Sequence, residues 1–151
     1  MSRMQKVVTG VLVSGVLGGS KLAAAHRAVP FKGGATGTLT SQEVLGPEDV
    51  KLEAVGEGQA TLIGSYTRLE ELHLNPATGA FTGQITFITA RGDTLDCTVL
   101  GQFTSQTEAA GTYTMVGGTG RFESAAGEAA FKVTQTSPTT FVVRFDGALS
   151  R

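Results

Sequence analysis

The feature that most constrains this chain is a strict two-residue alternation of apolar and polar side chains. In the segment 81–87, phenylalanine, glycine and isoleucine positions alternate with threonine and glutamine, and similar alternation recurs in 94–99, 128–134 and 141–146. Successive side chains of a β-strand point to opposite faces, so alternation over five or more residues predicts half-buried antiparallel strands.

Turn-forming sequences separate these runs at short intervals, at 75–79 (Asn-Pro-Ala-Thr-Gly), 90–93 (Ala-Arg-Gly-Asp) and 136–139 (Thr-Ser-Pro-Thr). A meander of hairpins without helical spacers avoids exposed edges by closing on itself. We therefore predict an all-β fold, a closed antiparallel eight-stranded up-and-down β-barrel. The predicted strands, of which one early pair is expected to be continuous, lie near 34–42, 50–56, 58–68, 69–75, 79–90, 93–104, 109–116, 124–135 and 139–149.

The segment 67–74 fits two local structures. It contains a Thr-x-x-Glu capping box and leucines at helical spacing. Eight residues are short for a stable helix, and the Asn-Pro turn follows at once. These two observations favour a strand.

Glycine is abundant, at 21 of 151 residues, about double the usual ~7%. A Gly-x-aromatic-Thr pattern begins at Gly64, Gly79, Gly101 and Gly111. Residues two apart on a strand share a face. The pattern predicts that each glycine lets its strand bend while the aromatic ring two residues later fills the space left by the missing side chain.

The first 25 residues have the features of a secretory signal peptide. Arg3 and Lys6 precede the apolar run 7–17, and three alanines at 23–25 offer a cleavage site. The run is shorter than the ~20 residues that span a bilayer. We predict a signal segment 1–25, a short lead-in 26–33 and a barrel domain 34–150, in a secreted (periplasmic or extracellular) protein with no stable membrane insertion after cleavage. The alternative is a buried first strand or helix.

Two segments resemble a known superfamily. The sequence Gly-Gly-Thr-Gly-Arg-Phe at 117–122, followed by Ala-Ala-Gly at 125–127, resembles the allene oxide cyclase and dirigent barrel superfamily. The hairpin 74–83 resembles that of bacterial secreted proteins with an allene-oxide-cyclase-like barrel, and the resemblance extends over 34–150. It implies an eight-stranded barrel with an apolar cavity, often in homodimers or homotrimers. Plant cyclases of the family close a ring in an unstable fatty-acid epoxide, and dirigent members steer radical coupling, but neither set of active-site residues matches a motif here.

Several kinds of chemistry find no support in the sequence. With a formal net charge of −1, the chain lacks the excess of basic residues that is typical of proteins that bind nucleic acid. The glycine loop 117–120 lacks the Lys-Ser/Thr pair and following helix of a phosphate-binding loop, and nothing indicates a cofactor. Glu71 and His73 would share a strand face but form only half a metal site, so no metal is predicted. Cys97 shares a face with Leu95 and Val99, which favours a core thiol over a nucleophile.

The polar residues Tyr66, Arg68 and Glu70 alternate with Thr67, Leu69 and Glu71. If the first set faces inward, an Arg–Glu pair at the barrel mouth would orient the polar head of a ligand, because a buried charge must be paired. In the alternative, Arg68 and Glu70 face solvent and Leu69 faces the interior. The candidate cavity-lining residues are Tyr66, Arg68, Glu70, Phe81, Phe87, Cys97, Tyr113, Phe131 and Phe145.

Three functions remain open. The first is an exported barrel that binds a small, mostly apolar ligand, since small closed barrels hold one such molecule. The second is a cofactor-independent cyclase or isomerase of the allene oxide cyclase type, which would work by holding its substrate folded and excluding water. The third is a structural or oligomer-forming barrel whose interior is filled by side chains.

Overall fold

The computed structural model describes residues 27–151; the predicted signal segment 1–25 lies outside them. Each strand pairs antiparallel with its neighbour in sequence, and the first pairs with the last, so the sheet closes into a barrel. The predicted closed eight-stranded antiparallel barrel is confirmed. The strands are β1 (Val29–Gly46), β2 (Asp49–Ala60), β3 (Gly64–Leu74), β4 (Ala80–Thr89), β5 (Thr94–Phe103), β6 (Glu108–Gly118), β7 (Ala126–Gln135) and β8 (Thr140–Ser150).

The alternation of the sequence becomes the inner and outer faces of the barrel wall. On β4 the side chains of Phe81, Ile85 and Phe87 are buried in the core, and β5, β7 and β8 repeat the pattern. The predicted faces of these four strands are confirmed. Within residues 27–151 there is no helix with the length and apolar character needed to cross a membrane.

The early strand boundaries differ from those predicted. The expected break at 56–58 does not exist, because β2 is continuous and the turn lies at 61–63. The pieces near 58–68 and 69–75 are the early pair that is continuous: residues of both belong to the single strand β3, which contains 67–74 as its favoured interpretation predicted. Glycines caused the first error: Gly56 and Gly58 lie where β1 approaches closely, and a Cβ atom at Gly56 would be 2.6 Å from the carbonyl oxygen of Thr36. β1 begins at Val29 rather than near residue 34, because it pairs with β8 from that point.

The two ends of the barrel differ. At one end, which we call the closed end, lie the first residues of β1, the last of β8 and the connection between β6 and β7. A short 3-10 turn, Gly120–Phe122, lies in that connection and contributes the fully buried ring of Phe122 to the core. Arg121 donates from Nε to Asp93 Oδ2 at 2.9 Å and ties the turn to the loop between β4 and β5. The opposite end, the mouth, carries the turns β1–β2, β3–β4, β5–β6 and β7–β8.

The predicted pairing of glycines with aromatic rings on the same strand is wrong. Gly64 begins β3 directly after a turn and Gly79 lies in the β3–β4 turn, both with positive φ, at 69° and 80°. Gly101 and Gly111 face inward, but the rings above them come from neighbouring strands. A Cβ atom at Gly101 would overlap the ring of Phe81, and one at Gly111 would lie 2.7 Å from Cζ of Phe131.

The register explains this cross-strand packing. Phe81 lies directly opposite Gly101, and Phe131 directly opposite Gly111. Directly opposed residues are about 4.5–5.5 Å apart, whereas residues i and i+2 of one strand are separated by about 6.6–6.8 Å. Gly37 and Phe141 form a third opposed pair of the same kind.

Candidate functional site

The structure decides between the two orientations of the polar residues on β3. Arg68 is buried, with 1% of its surface exposed, whereas Leu69 is 45% exposed. The alternative with Arg68 and Glu70 in solvent is therefore wrong. Gly56, directly opposite Arg68 on β2, makes room for the arginine: a Cβ atom there would lie 3.1 Å from Cγ of Arg68.

Arg68 is held by a carboxylate, a hydroxyl group and two aromatic rings. Its Nε donates to Glu70 Oε2 at 3.2 Å, and its Nη2 lies 3.1 Å from the same oxygen. Nη2 also donates to the Tyr113 hydroxyl at 2.9 Å. The guanidinium carbon lies 5.7 Å from the ring centroids of both Phe87 and Tyr113, within cation–π distance. These contacts offset the cost of burying a charge.

The ionisation of Arg68 follows from the same contacts. Burial disfavours the charged guanidinium, but Tyr113 and Glu70 outweigh that effect, and the pKa of Arg68 is raised. Arg68 therefore stays positively charged inside the barrel. Its Nη1 has no hydrogen-bond partner among the described residues.

The two inward tyrosines are neutral. Burial raises the pKa of Tyr66 and of Tyr113. The Tyr66 hydroxyl donates to the carbonyl oxygen of Gly34 at 3.0 Å. The ring of Tyr113 stacks on that of Phe131, with the centroids 4.4 Å apart.

A pocket of about 120 Å³, the mouth pocket, lies between this polar group and the mouth. Side chains from all eight strands, together with the β5–β6 and β7–β8 turns, line it, and most are apolar. Glu70 is the charged member of the lining. The lining residues are Leu39, Leu52, Ala54, Glu70, Leu72, Phe81, Val99, Phe103, Thr107, Ala109, Tyr113, Phe131, Val133, Gln135, Pro138, Thr139, Thr140 and Phe141.

The candidate residues from the sequence separate into two groups. Glu70, Phe81, Tyr113 and Phe131 line the mouth pocket. The other five are buried in the core without lining the pocket: Tyr66, Arg68, Phe87, Cys97 and Phe145. The interior is thus filled by side chains toward the closed end and leaves space toward the mouth.

Cys97 belongs to the filled part. It is 2% exposed, and burial raises the pKa of its thiol to about 12. The thiol is therefore protonated at physiological pH, and its place among apolar neighbours is that of a packing residue.

Sequence reasoning missed the pocket residues of β1 and β2, among them Leu39, Leu52 and Ala54. The irregular register between Leu39 and Ser41 interrupts the alternation of β1. Alternation therefore could not predict which residues of β1 near the mouth face inward. On β2, Leu52 and Ala54 are apolar and two residues apart, a pattern that indicates a shared inward face. Alternation also places Phe103 and Phe141 on inward faces, but each lies at or near the end of its strand.

His73 lies on the surface between two carboxylates. Its Nδ1 is 2.8 Å from Asp49 Oδ1, and its Nε2 is 3.6 Å from Glu71 Oε2. The hydrogen bond with Asp49 raises the pKa of His73. Residues 27–151 contain no group of three His, Cys, Asp or Glu side chains arranged to hold a metal ion.

A broader groove of about 990 Å³ lies across β1, β7 and β8. The exposed side chains of Lys32, Lys132 and Arg144 border it, together with Asp146 and Glu57. The groove is more open to solvent than the mouth pocket, and more charged side chains border it.

Comparisons with known proteins relate the chain to others through its fold. No protein-family model matches the sequence, and no curated protein sequence matches it. Among solved structures, the pterocarpan synthase dirigent protein GePTS1 is similar, with 14% sequence identity, a TM-score of 0.59, and coverage of 96% of this chain and 98% of that chain. At this identity the likeness shows the fold alone, a dirigent-like eight-stranded barrel.

Proposed function

We propose that this dirigent-like barrel binds a small, mostly apolar molecule in its mouth pocket. The observation that carries the proposal is an apolar pocket at the mouth of a closed barrel with one carboxylate, Glu70, in its lining. Binding sites for small molecules typically combine an apolar wall with a few placed polar groups. The structural likeness to a dirigent protein is compatible with this function.

The driving force would be the removal of apolar surface from water. Such burial contributes about 25 cal/mol per Å² of apolar area. The packed side chains toward the closed end keep the pocket walls in place, so a ligand would not need to order them on binding.

Mass spectrometry of small molecules released from the purified protein tests this proposal. Ala109, which is 4% exposed and lines the pocket, offers a substitution that fills it: Ala109→Leu. The exposed Ala148 on β8 provides a matched control, Ala148→Leu. We expect a molecule that accompanies the wild-type and Ala148→Leu proteins and is lost from Ala109→Leu. Equal recovery from all three proteins, or none from any, would contradict the proposal.

A second candidate function is cofactor-independent rearrangement of the bound molecule. The carboxylate of Glu70 favours it, because a carboxylate in the lining of an apolar pocket is placed to accept a proton from a ligand. Incubating the recovered molecule with the wild-type and Glu70→Gln proteins tests this candidate. Conversion by the wild-type protein that falls with Glu70→Gln would support it, and recovery of the molecule unchanged would rule it out.

The proposed site of action is outside the cytoplasm. The basic start, apolar run and alanine site of residues 1–25 support export. N-terminal sequencing of exported protein is expected to begin after Ala25, and an exported chain that begins at Met1 would contradict cleavage.

A further inference from the structure

The size of the mouth pocket and the position of Glu70 together define the kind of molecule that it accepts. We infer that the pocket selects a compact neutral alcohol of about six or seven non-hydrogen atoms, whose hydroxyl group donates to Glu70. This inference rests on the proposed function, since it names the ligand class of the same pocket.

The volume sets the size limit. A dry cavity of about 150 Å³ in another protein binds benzene, and the mouth pocket has about 120 Å³. Pockets for drug-sized molecules are about 300–1,000 Å³. A fused-ring compound therefore exceeds the space inside the pocket, and a long chain would have to extend out of the mouth.

Aromatic rings from four strands enforce that limit. Phe81, Phe131 and Phe141 line the pocket, and each packs over an inward glycine of an adjacent strand. Phe103 lies 5.6 Å from Phe81, measured between ring centroids. Because these three rings lie directly on the backbone of the adjacent strand, they cannot move outward without moving the barrel wall.

Glu70 sets the polarity of the ligand. Its Oε2 accepts from Arg68, whereas Oε1 accepts no hydrogen bond within residues 27–151. An ionised carboxylate is an acceptor only. The ligand must therefore supply the donor, and a carbonyl group at the same place would face the carboxylate unfavourably.

Arg68 sets the charge of the ligand. Its guanidinium already balances the Glu70 carboxylate, with Nη2 3.1 Å from Oε2. An ammonium group would add an uncompensated positive charge, and a carboxylate group would meet Glu70 before it reached Arg68. A neutral hydroxyl group supplies a donor without either cost.

Nuclear magnetic resonance titration of the wild-type protein with five cyclic compounds tests the inference. Cyclohexanol and cyclohexanone have nearly the same size but differ in the donor, cyclohexylamine and cyclohexanecarboxylate carry charge, and decahydro-2-naphthol has a second ring. We expect cyclohexanol to bind at least tenfold more tightly than cyclohexanone, because a hydrogen bond to a charged group is worth about that much. The two charged compounds should bind more weakly than cyclohexanol because of their charge, and the two-ring alcohol because of its size.

The outcomes separate the inference from the proposed function. If cyclohexanone binds as tightly as cyclohexanol, or the two-ring alcohol binds more tightly, the pocket binds ligands but the inferred class is wrong. If none of the five compounds shifts resonances of the pocket residues, the inferred class is wrong, and the recovery of a released molecule from the wild-type protein but not from Ala109→Leu decides the proposed function separately.

A double variant tests the role of Glu70 without leaving Arg68 unpaired. In Arg68→Met/Glu70→Leu the pocket keeps an apolar wall but loses the acceptor. We expect the preference of at least tenfold for cyclohexanol over cyclohexanone to disappear, so that the two compounds bind about equally tightly. A preference that persists in the double variant would show that Glu70 does not recognise the hydroxyl group.

Discussion

Arg68 places a permanent charge in the interior of a barrel that is otherwise mostly apolar. Its position is possible because three neighbours act together: Gly56 leaves space for its stem, Glu70 balances its charge and Tyr113 accepts one of its hydrogen bonds. Removing one partner of a buried pair leaves an uncompensated charge, whereas replacing both with apolar side chains does not.

The Arg68–Glu70 pair predicts a specific pattern of stabilities. We expect Glu70→Leu alone to lower the free energy of unfolding by about 3–5 kcal/mol, because it leaves the buried guanidinium without its carboxylate. The double variant Arg68→Met/Glu70→Leu should recover most of that loss. Urea unfolding of the wild-type protein and both variants measures the difference. A single variant as stable as the double variant would mean that the pair does not hold the charge.

The orientation of Arg68 was not predictable from its own strand. The alternation of β3 places Arg68 and Leu69 on opposite faces but does not say which face is inside. The deciding contact is with Gly56, which is opposite Arg68 only in the folded register. By contrast, the burial of Cys97 was predictable, because both of its neighbours on that face, Leu95 and Val99, are apolar.

At the scale of the strand, glycines and aromatic rings form pairs across neighbouring strands. Three rings lie against the wall of the barrel in this way: Phe81 over Gly101, Phe131 over Gly111 and Phe141 over Gly37. All three rings line the mouth pocket. A side chain at any of these glycines would push its ring away from the wall, so the glycines preserve the space in the pocket.

Substitution of Gly101 tests this packing. We expect Gly101→Ala to lower the free energy of unfolding by about 1–3 kcal/mol, because the new Cβ overlaps the Phe81 ring. Shortening that ring with Phe81→Leu should relieve the overlap, so the double variant should lose less than the sum of the two single losses. Thermal or urea unfolding of the three variants gives the coupling.

Gly46 provides the matched control. No atom lies within 4 Å of a Cβ built at this position, so Gly46→Ala should leave stability unchanged or raise it by up to about 1 kcal/mol. A loss at Gly46 equal to that at Gly101 would show that backbone freedom, rather than ring packing, is what Gly101 supplies.

The sequence predicted strands well where alternation is long and uninterrupted, as on β4, β5, β7 and β8. It failed at Gly56 and Gly58, where glycine marks close approach of β1 rather than a turn. A single glycine has the same sequence signature in both situations. The difference depends on a partner strand that the local sequence does not identify.

At the scale of the whole molecule, the barrel divides into a filled part and a part with space. Toward the closed end, Phe87 and Phe145 contact each other and each contacts both Phe31 and Tyr66, with ring-centroid separations between 5.0 and 6.4 Å. The closed barrel was predictable from repeated hairpins. The division of its interior was not predictable, because alternation places both Phe81 and Phe87 on the inward face and does not show which of them lines a pocket.

The two tyrosines of the chain report on the integrity of this interior. Burial raises the pKa of Tyr66 and Tyr113 above the ordinary value of 10.0. The stability that the neutral hydroxyl groups contribute is fully present below about pH 10 and is lost as the pH rises through the raised values of the folded state. We therefore expect no tyrosinate absorbance near pH 10 in the folded protein. The absorbance should appear at higher pH, together with unfolding of the barrel.

Ultraviolet absorbance and circular dichroism recorded along one alkaline titration test this expectation. Protein unfolded in guanidinium should titrate near pH 10 and serves as the reference. Tyrosinate absorbance that appears at that pH while the circular dichroism is unchanged would mean that solvent reaches the rings in the native barrel.

The placement of the two ends of the described chain has a practical consequence. Val29 pairs with Leu149, so the start of β1 and the end of β8 lie side by side at the closed end, opposite the mouth. A carrier protein or a solid support joined after Arg151 would therefore be attached behind the barrel. The mouth would face the surrounding solution, and immobilised protein would remain free to exchange small molecules with it.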